Sequence, residues 1–134
     1  MEEGTELIDR IQNNGVFPMI TSCSPGWIKL METYYPDLLP HLSSCKSPQA
    51  MEGALIKSHF AEMNHINPDD IVVVSVMPCV AKKFEVKRSE LSEGGLPDVD
   101  IAITTRELAR MIKEARIDFE NVRDEDFDPY FGDY

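Results

Sequence analysis

The chain has 134 residues, 43% of them hydrophobic, and a formal net charge of −11. This length and apolar content suit one globular domain with a modest core. The negative charge argues against nucleic acid as a partner because it would repel phosphate backbones, and no apolar run reaches the roughly 18 residues of a membrane span.

The N-terminal segment is acidic and lacks the basic start and apolar stretch of a secretory signal, so we expect a cytoplasmic protein. Helical spacing relates its apolar residues Leu7, Ile8 and Ile11, which precede the Asn-Asn-Gly segment at 13–15. Asparagine and glycine end helices well because they tolerate left-handed geometry. The pattern predicts a first helix over residues 2–12.

The next two segments are an apolar run and a second helix. Residues 16–20 are long enough for a strand and too short for a helix, which predicts a strand. Pro25 suits the first turn of a helix, where its missing N–H costs nothing, and Pro36 ends that helix. Its apolar stripe consists of Trp27, Leu30, Met31 and Tyr34.

Ser47 and Pro48 repeat the helix start signal and predict a third helix that runs to about Asn64. The buried face of this helix begins with Met51, Ala54 and Leu55. Residues 71–77 are nearly all apolar, the pattern of a strand that is covered on both faces in a parallel sheet. Pro78 ends this strand.

Residues 99–103 resemble another such strand, and Thr104 with Glu107 forms a capping box that opens a last helix. The alternation of strands and helices predicts the α/β class, with a mostly parallel sheet flanked by helices. We expect residues 1–134 to form a single domain, in which residues 117–134 are an acidic and loosely packed tail.

The three cysteines, Cys23, Cys45 and Cys79, are an odd number at wide spacing, which suits a reducing compartment or a metal site better than disulfides. Cys23 and Cys79 each follow a predicted strand. Since ligands of open α/β sheets bind outside the carboxyl ends of strands, we expect both thiols to face one crevice. Spacing alone equally allows two unrelated core thiols, and by residue type Lys82 and Lys83 are more typical of a solvated surface pair.

Four segments resemble motifs of the iron-only (FeFe) hydrogenases. Residues 21–27, T-S-C-S-P-G-W, resemble the first family signature, T-S-C-C-P-x-W, and residues 77–85, M-P-C-V-A-K-K-F-E, resemble the second, M-P-C-x-x-K-x-x-E. Residues 43–49 are similar to the S-S-x-K-S-P-Q stretch of this family, and residues 100–108 to its D-x-x-I-T-T-R-E-L stretch. The match covers essentially the whole chain, and it implies the N-terminal lobe of a larger, two-lobed hydrogenase catalytic domain.

This resemblance implies a six-iron cofactor, the H-cluster, in which a 4Fe-4S cubane is joined through a cysteine to a two-iron subsite. It implies that Cys79 is a cubane ligand and that Cys23 passes protons beside the two-iron subsite. Lys82 would hydrogen-bond a cyanide of that subsite. The residues that the resemblance places in the subsite pocket are Met77, Pro48 and Gln49.

The resemblance also implies a proton relay from the surface to Cys23, through Glu3, Glu6 and Ser43. Carboxylates and a thiol have pKa values that suit proton transfer. Without the resemblance, both glutamates would be ordinary first-turn residues that the helix dipole favours.

The sequence departs from the family pattern in two places. Ser24 stands where the family has its second consecutive cysteine, a cubane ligand, and a serine hydroxyl is a harder and far less acidic donor than a thiol. The third signature, a glycine-rich stretch with two more cysteines, is absent. We therefore expect an internal fragment that alone binds no complete cluster and has no hydrogenase activity.

For the parent protein, the resemblance implies reversible reduction of protons to molecular hydrogen. Its partners would be ferredoxin or another electron carrier, the hydrogenase maturation proteins and the rest of the hydrogenase chain. Two alternatives stay open, a hydrogenase-like iron–sulfur cluster assembly factor and a hydrogen sensor. The retained Cys23 and the glutamates favour turnover, because a carrier or sensor has less need of a fast proton route, while Ser24 favours the alternatives. Cys45 has no assigned role and is interpreted as a buried thiol.

Overall fold

The computed structural model describes residues 1–126 of the chain, except for the side chain of Glu93. Helix α1 spans Glu2–Gln12 and ends at the Asn-Asn-Gly segment. Helix α2 spans Pro25–Tyr34, with its proline at the first position, and a 3₁₀ turn over Pro36–His41 follows it. Both predicted helices are confirmed.

The predicted strand over residues 16–20 is wrong. Only Ile20 pairs, in a single parallel bridge with Leu42, in which Ser43 N donates to Ile20 O at 2.7 Å. Pro18 lies within the run and has no N–H to donate to a ladder, which confines such a residue to strand edges. The bridge nevertheless places the segment leading to Cys23 beside Ser43.

The third predicted helix is confirmed, although its geometry changes along its length. Helix α3 spans Pro48–Leu55, a π-helical turn spans Ile56–Phe60, and helix α4 spans Ala61–Met63. The predicted cap is present, since Ser47 Oγ accepts a hydrogen bond from Ala50 N at 3.4 Å.

The π-helical turn buries Lys57 and directs it to the segment before the last strand. Lys57 Nζ donates to Pro97 O at 2.7 Å and to Asp100 Oδ1 at 2.8 Å. Asp100 Oδ2 in turn accepts a hydrogen bond from Val73 N at 2.7 Å. The Lys57–Asp100 ion pair therefore connects the third helix to the two segments, at Val73 and Asp100, that lead into the strands of the parallel sheet.

Further along the described part of the chain, the helices and strands are β1 (Val74–Met77), α5 (Lys82–Glu85), β2 (Ser92–Glu93), β3 (Leu96–Pro97), β4 (Ile101–Thr104) and α6 (Thr105–Glu114). Strands β1 and β4 pair in parallel, and β2 and β3 form a small antiparallel hairpin. The capping box of α6 is present, because Glu107 N donates to Thr104 Oγ1 and Thr104 N donates to Glu107 Oε2. The predicted α/β class with a parallel sheet and flanking helices is confirmed.

The parallel pair of strands is covered on one face. Helix α3 lies on the side of Ser75, whose Oγ donates to Gln49 Oε1 at 2.8 Å. Val74 and Val76 alternate with Ser75 and are 48% and 41% exposed. The prediction that this strand is covered on both faces is therefore wrong for residues 1–126, because these valine side chains remain partly exposed.

The described interior contains more polar than apolar side chains. Its buried hydrophobic residues are Met31, Ala50, Ala61, Val99 and Ala102. Its buried polar residues are Ser22, Ser43, Ser47, Gln49, Lys57, Lys82, Glu85 and Asp98. Because burying a polar group is unfavourable unless it is hydrogen-bonded, the partners of these side chains decide how the sequence motifs are held together.

The predicted acidic tail lies partly outside the described residues. Residues 117–126 are described, and Phe119–Asn121 form a 3₁₀ turn, whereas residues 127–134 lie outside the description. The tail and the single-domain division therefore stay predictions. Among residues 1–126, no helix is long and apolar enough to cross a membrane.

Candidate functional site

Lys82 connects the two cysteine motifs. Its side-chain Nζ donates to Cys23 O at 2.9 Å, and its backbone N donates to Cys79 O at 3.2 Å. Cys23 lies just before α2 and Cys79 lies between β1 and α5, so the structure brings both cysteine segments to one lysine. Both cysteine residues are exposed, and the expectation that their thiols face one crevice stays a prediction.

A buried ion pair fixes Lys82. Its Nζ pairs with Glu85 Oε2 at 2.7 Å, and Glu85 Oε1 accepts a hydrogen bond from Ser47 Oγ. All three side chains are buried, so Glu85 is the counter-charge that a buried ammonium requires. The interpretation of Lys82 as a surface lysine is wrong, whereas Lys83 is partly exposed and pairs with Glu107 at 2.5 Å.

Gln49 presents an unpaired donor. Its Oε1 is bonded to Ser75, and its buried Nε2 has no hydrogen-bond partner among the described residues. A buried amide donor without an acceptor is unfavourable, so this nitrogen is free to bind a ligand atom. Pro48, beside it, is exposed, and Met77 is the half-buried last residue of β1.

Glu6 and Ser43 are directly hydrogen-bonded. Ser43 Oγ donates to Glu6 Oε2 at 2.6 Å, Ser44 N donates to both carboxylate oxygens at 3.1 Å, and Cys45 Sγ lies 3.5 Å from Oε2. Arg10 Nη2 donates to Glu6 Oε1 at 2.6 Å. Burial acts to raise the pKa of Glu6, but these hydrogen bonds outweigh it and lower the pKa to about 2.

Arg10 is a site residue that sequence reasoning missed. Besides Glu6, its guanidinium donates to Leu42 O at 2.6 Å, Val16 O at 3.2 Å and Pro40 O at 3.3 Å. The signal for it was the spacing of four residues between Glu6 and Arg10, which places both on one helix face. Arg10 therefore fastens α1 to the segment that carries Ser43.

A hollow of about 400 Å³ brings together other predicted residues. It is lined by Glu3, Cys23 and Pro48, together with Met1, Lys46 and Met51. Glu6 and Ser43 are not among its lining residues, and among the described hydrogen bonds none joins Ser43 or Glu3 to Cys23. The segments that carry Ser43 and Cys23 are linked instead by their neighbours, since Ser22 Oγ donates to the backbone carbonyl of Cys45 at 2.6 Å.

The described residues do not by themselves offer a complete ligand set for an iron–sulfur cluster. Ser24 is the N-cap residue of α2, yet its hydroxyl makes no capping hydrogen bond. Within residues 1–126, no group of three or more His, Cys, Asp or Glu side chains is placed to hold a metal ion. A cubane is held by four thiolates, and at the family's ligand positions these residues offer one, Cys79, with the Ser24 hydroxyl at a second.

Comparison with known proteins gives three matches of different kinds. The family model described as iron only hydrogenase large subunit, C-terminal domain, matches residues 1–134. Iron hydrogenase 1 of Clostridium pasteurianum is 51% identical over 134 residues, which are 100% of this chain and 23% of that protein. The cytosolic Fe-S cluster assembly factor NAR1 of Botryotinia fuckeliana is 42% identical over 113 residues, 78% of this chain and 20% of that protein.

A solved [FeFe]-hydrogenase structure, which reports stepwise assembly of the H-cluster, has the same fold. It superposes with a TM-score of 0.91 at 44% sequence identity, over 96% of this chain and 32% of that one. The chain thus spans between a fifth and a third of the length of these relatives.

Proposed function

The chain belongs to the family of iron-only hydrogenase large subunits, C-terminal domain, and on that premise we propose that it forms one wall of a hydrogenase active site. The protein would catalyse reversible reduction of protons to molecular hydrogen. The observation that carries this proposal is the buried Lys82, which bonds the backbone of Cys23 and Cys79 at once. This arrangement fits a site in which two motifs surround one cofactor.

The proton path in this proposal consists of Glu3, Glu6, Ser43 and Cys23. The hydrogen bond of 2.6 Å between Ser43 and Glu6 supports its middle step, because proton transfer needs heavy atoms within hydrogen-bond reach. With a pKa of about 2, Glu6 holds no proton at neutral pH. It therefore acts as an anion that accepts a proton only in passing and that keeps the Ser43 hydroxyl oriented.

The cluster side of the proposal rests on a second group of residues. Cys79 would be a cubane ligand, Ser24 would stand at a second ligand position, and Lys82 would donate its remaining N–H to an anionic ligand of the two-iron subsite. The pocket residues would be Met77, Pro48 and Gln49. In the family this cofactor supplies the redox chemistry. The residues of this chain would hold and orient the cofactor and exclude water from it.

The proposed surroundings follow from the same assignment. Ferredoxin or another carrier would deliver electrons, hydrogenase maturation proteins would install the two-iron subsite, and the rest of the hydrogenase chain would supply the remaining ligands. We propose a cytoplasmic location.

A chimera tests the proposed function. The 134 residues replace the matching segment of iron hydrogenase 1 of Clostridium pasteurianum, with either the native Ser24 or Ser24→Cys, and the protein is matured anaerobically. We expect iron and sulfide content and hydrogen evolution from reduced methyl viologen to be restored with Ser24→Cys. Cys23→Ala in that protein should lower hydrogen evolution by about 10²- to 10⁴-fold at equal iron content, the range of proton-transfer catalysis.

The chain alone, treated in the same way, should hold less iron than a complete cluster and evolve no hydrogen. Full activity of the isolated chain would contradict the proposal of a partial site. A chimera with a full iron complement but no hydrogen evolution would contradict the hydrogenase proposal.

The alternative function is iron–sulfur cluster assembly. The serine at a cubane-ligand position favours it, since a weakly held cluster is easier to transfer, and so does the similarity to an assembly factor. Transfer of iron and sulfide from the reconstituted chimera to an apo-ferredoxin, in the absence of hydrogen turnover, would support this function. A hydrogen sensor would bind hydrogen without sustained evolution.

A further inference from the structure

Cys45 contacts two residues of the predicted proton path and a residue adjacent to a third. Its Sγ lies 3.5 Å from Glu6 Oε2, its backbone N donates to Ser43 Oγ at 3.1 Å, and its carbonyl accepts from Ser22 Oγ at 2.6 Å. Ser22 is the residue before Cys23. Cys45 therefore contacts both partners of the Glu6–Ser43 pair and the segment that carries the thiol at the end of the path.

These contacts fix the direction of the Ser43 hydroxyl. Because Ser43 Oγ accepts from Cys45 N, its own hydrogen is left to point at Glu6 Oε2, 2.6 Å away. The same carboxylate oxygen also receives the Cys45 thiol. The serine hydroxyl and the cysteine thiol both bind Oε2, so together they restrict rotation of the Glu6 carboxylate about its Cγ–Cδ bond.

The thiol has the protonation state that this contact requires. Burial raises the pKa of Cys45, Glu6 and Glu3 raise it further, and only the contact with Ser43 acts in the opposite direction. The group is therefore an S–H donor at neutral pH rather than a thiolate. A thiolate at this position would repel the Glu6 carboxylate instead of binding it.

We propose that Cys45 is a positioning residue of the proton path: its thiol and backbone N–H hold Glu6 and Ser43 in the orientation in which the serine hydroxyl points at the carboxylate. This inference rests on the proposed function only for the roles of Glu6 and Ser43. Cys45 also lines a hollow of about 250 Å³ with Ser43 and Ser47, so packing does not hold its side chain on all sides. The hydrogen bond from the thiol to Glu6 therefore holds the side chain on the side where packing does not.

The first test compares Cys45→Ala with Cys45→Ser, two side chains of similar volume of which only serine donates a hydrogen bond. The full chain is labelled at glutamate side-chain carbons, and the pKa of Glu6 is measured by NMR titration. Cys45→Ala should raise the pKa of Glu6 by about half a unit, about threefold in proton affinity, whereas Cys45→Ser should keep the native value. Equal values in the two variants would overturn the proposal.

The second test measures the effect of Glu6 on the Cys45 thiol. It is carried out at pH 7 and above, so acid unfolding of the chain does not interfere. The alkylation rate of Cys45 by iodoacetamide is followed between pH 7 and 10 by mass spectrometry of its peptide. Glu6→Gln should lower the thiol pKa and speed alkylation at pH 8 by about threefold, because coupling between two groups is mutual. Glu3→Gln, which removes a charge without a bond to the thiol, should have a smaller effect.

An alkylation rate unaffected by Glu6→Gln would also overturn the proposal. Both readouts are independent of iron and hydrogen. A failure here with a working hydrogenase chimera would remove Cys45 from the path and leave the proposed function, whereas the reverse result would leave the Cys45–Glu6 contact without a catalytic purpose.

Discussion

Glu6 is held as a carboxylate by donors from two parts of the chain. Arg10 lies on the same helix, and the other donors, Ser43, Ser44 and Cys45, lie in the segment before α3. Because the protonated acid would lose most of these interactions, the folded chain favours the charged form. The consequence is measurable as a dependence of stability on pH.

We predict that Glu6→Gln destabilises the chain at pH 6 by about 2 kcal/mol, the scale of lost hydrogen bonds to a charged group. The pKa of Glu6 falls from 4.5 to about 2 on folding, so its stabilisation is complete above about pH 4.5 and is lost as the pH falls towards 2. The difference between variant and native chain should therefore shrink between pH 6 and pH 3 in urea unfolding.

Hydrogen bonds from Lys83 and Thr104 also lower the pKa of Glu107 to about 2. Its contribution to the pH dependence of stability is the same in the native chain and in the Glu6→Gln variant, so it cancels in their difference. Glu2→Gln, an exposed site in the first turn of the same helix, is the matched control and should change stability little. A pH-independent cost of Glu6→Gln would contradict the assignment of Glu6 as a bonded carboxylate.

At the scale of elements, the third helix packs where a glycine allows close approach. A Cβ atom at Gly53 would collide with the backbone of Asp98 and with Val99 Cγ2. This contact seats α3 against the segment that leads into β4, and Lys57 in the π-helical turn bonds the same segment. The helix therefore reaches the sheet by backbone contact and a partly buried ion pair rather than by a broad apolar face.

Gly53→Ala should lower the free energy of unfolding by about 1 to 3 kcal/mol, the range for overpacking a core. Gly4→Ala in α1 is the control, because no atom lies near its added methyl group. That substitution should stabilise the chain by about 0.5 to 1 kcal/mol through helix propensity. Similar shifts of the urea midpoint in both variants would show that the close approach has no energetic weight.

At the scale of the whole molecule, the Lys82–Glu85 pair is the junction of distant segments. It connects the Cys23 backbone, the Ser47 cap of α3 and the loop after β1. Removing one partner of a buried pair leaves an uncompensated charge, which is more unfavourable than losing an exposed pair.

We predict that Glu85→Gln costs about 3 to 5 kcal/mol in urea unfolding. The control is Lys83→Met, which removes only the partly exposed contact with Glu107 and leaves the capping box in place. That control should lower the free energy of unfolding much less than Glu85→Gln does, because solvent screens a partly exposed pair. Equal costs for the buried and the exposed pair would contradict the role of Glu85 as the counter-charge of Lys82.

The sequence by itself determined the ends of the helices and the order of the motifs, because these depend on local chemistry. Pro25, Ser47 and the Thr104–Glu107 capping box act within one turn of their own helix, and each predicted start is confirmed. The family resemblance is likewise carried by short contiguous segments, and the match over residues 1–134 bears it out.

Only the tertiary structure decided which polar groups meet. The run at 16–20 lacks a strand beside it, Lys82 is buried because Glu85 and Cys23 O receive its ammonium, and Cys45 bonds a glutamate 39 residues earlier. Hydrogen bonds and ion pairs between distant segments form only where the folded backbone brings the two groups together. The type of a residue does not indicate which distant residue will be its partner. The physical reason is that a polar side chain is stable at the surface or in the interior, and its partner alone decides between the two.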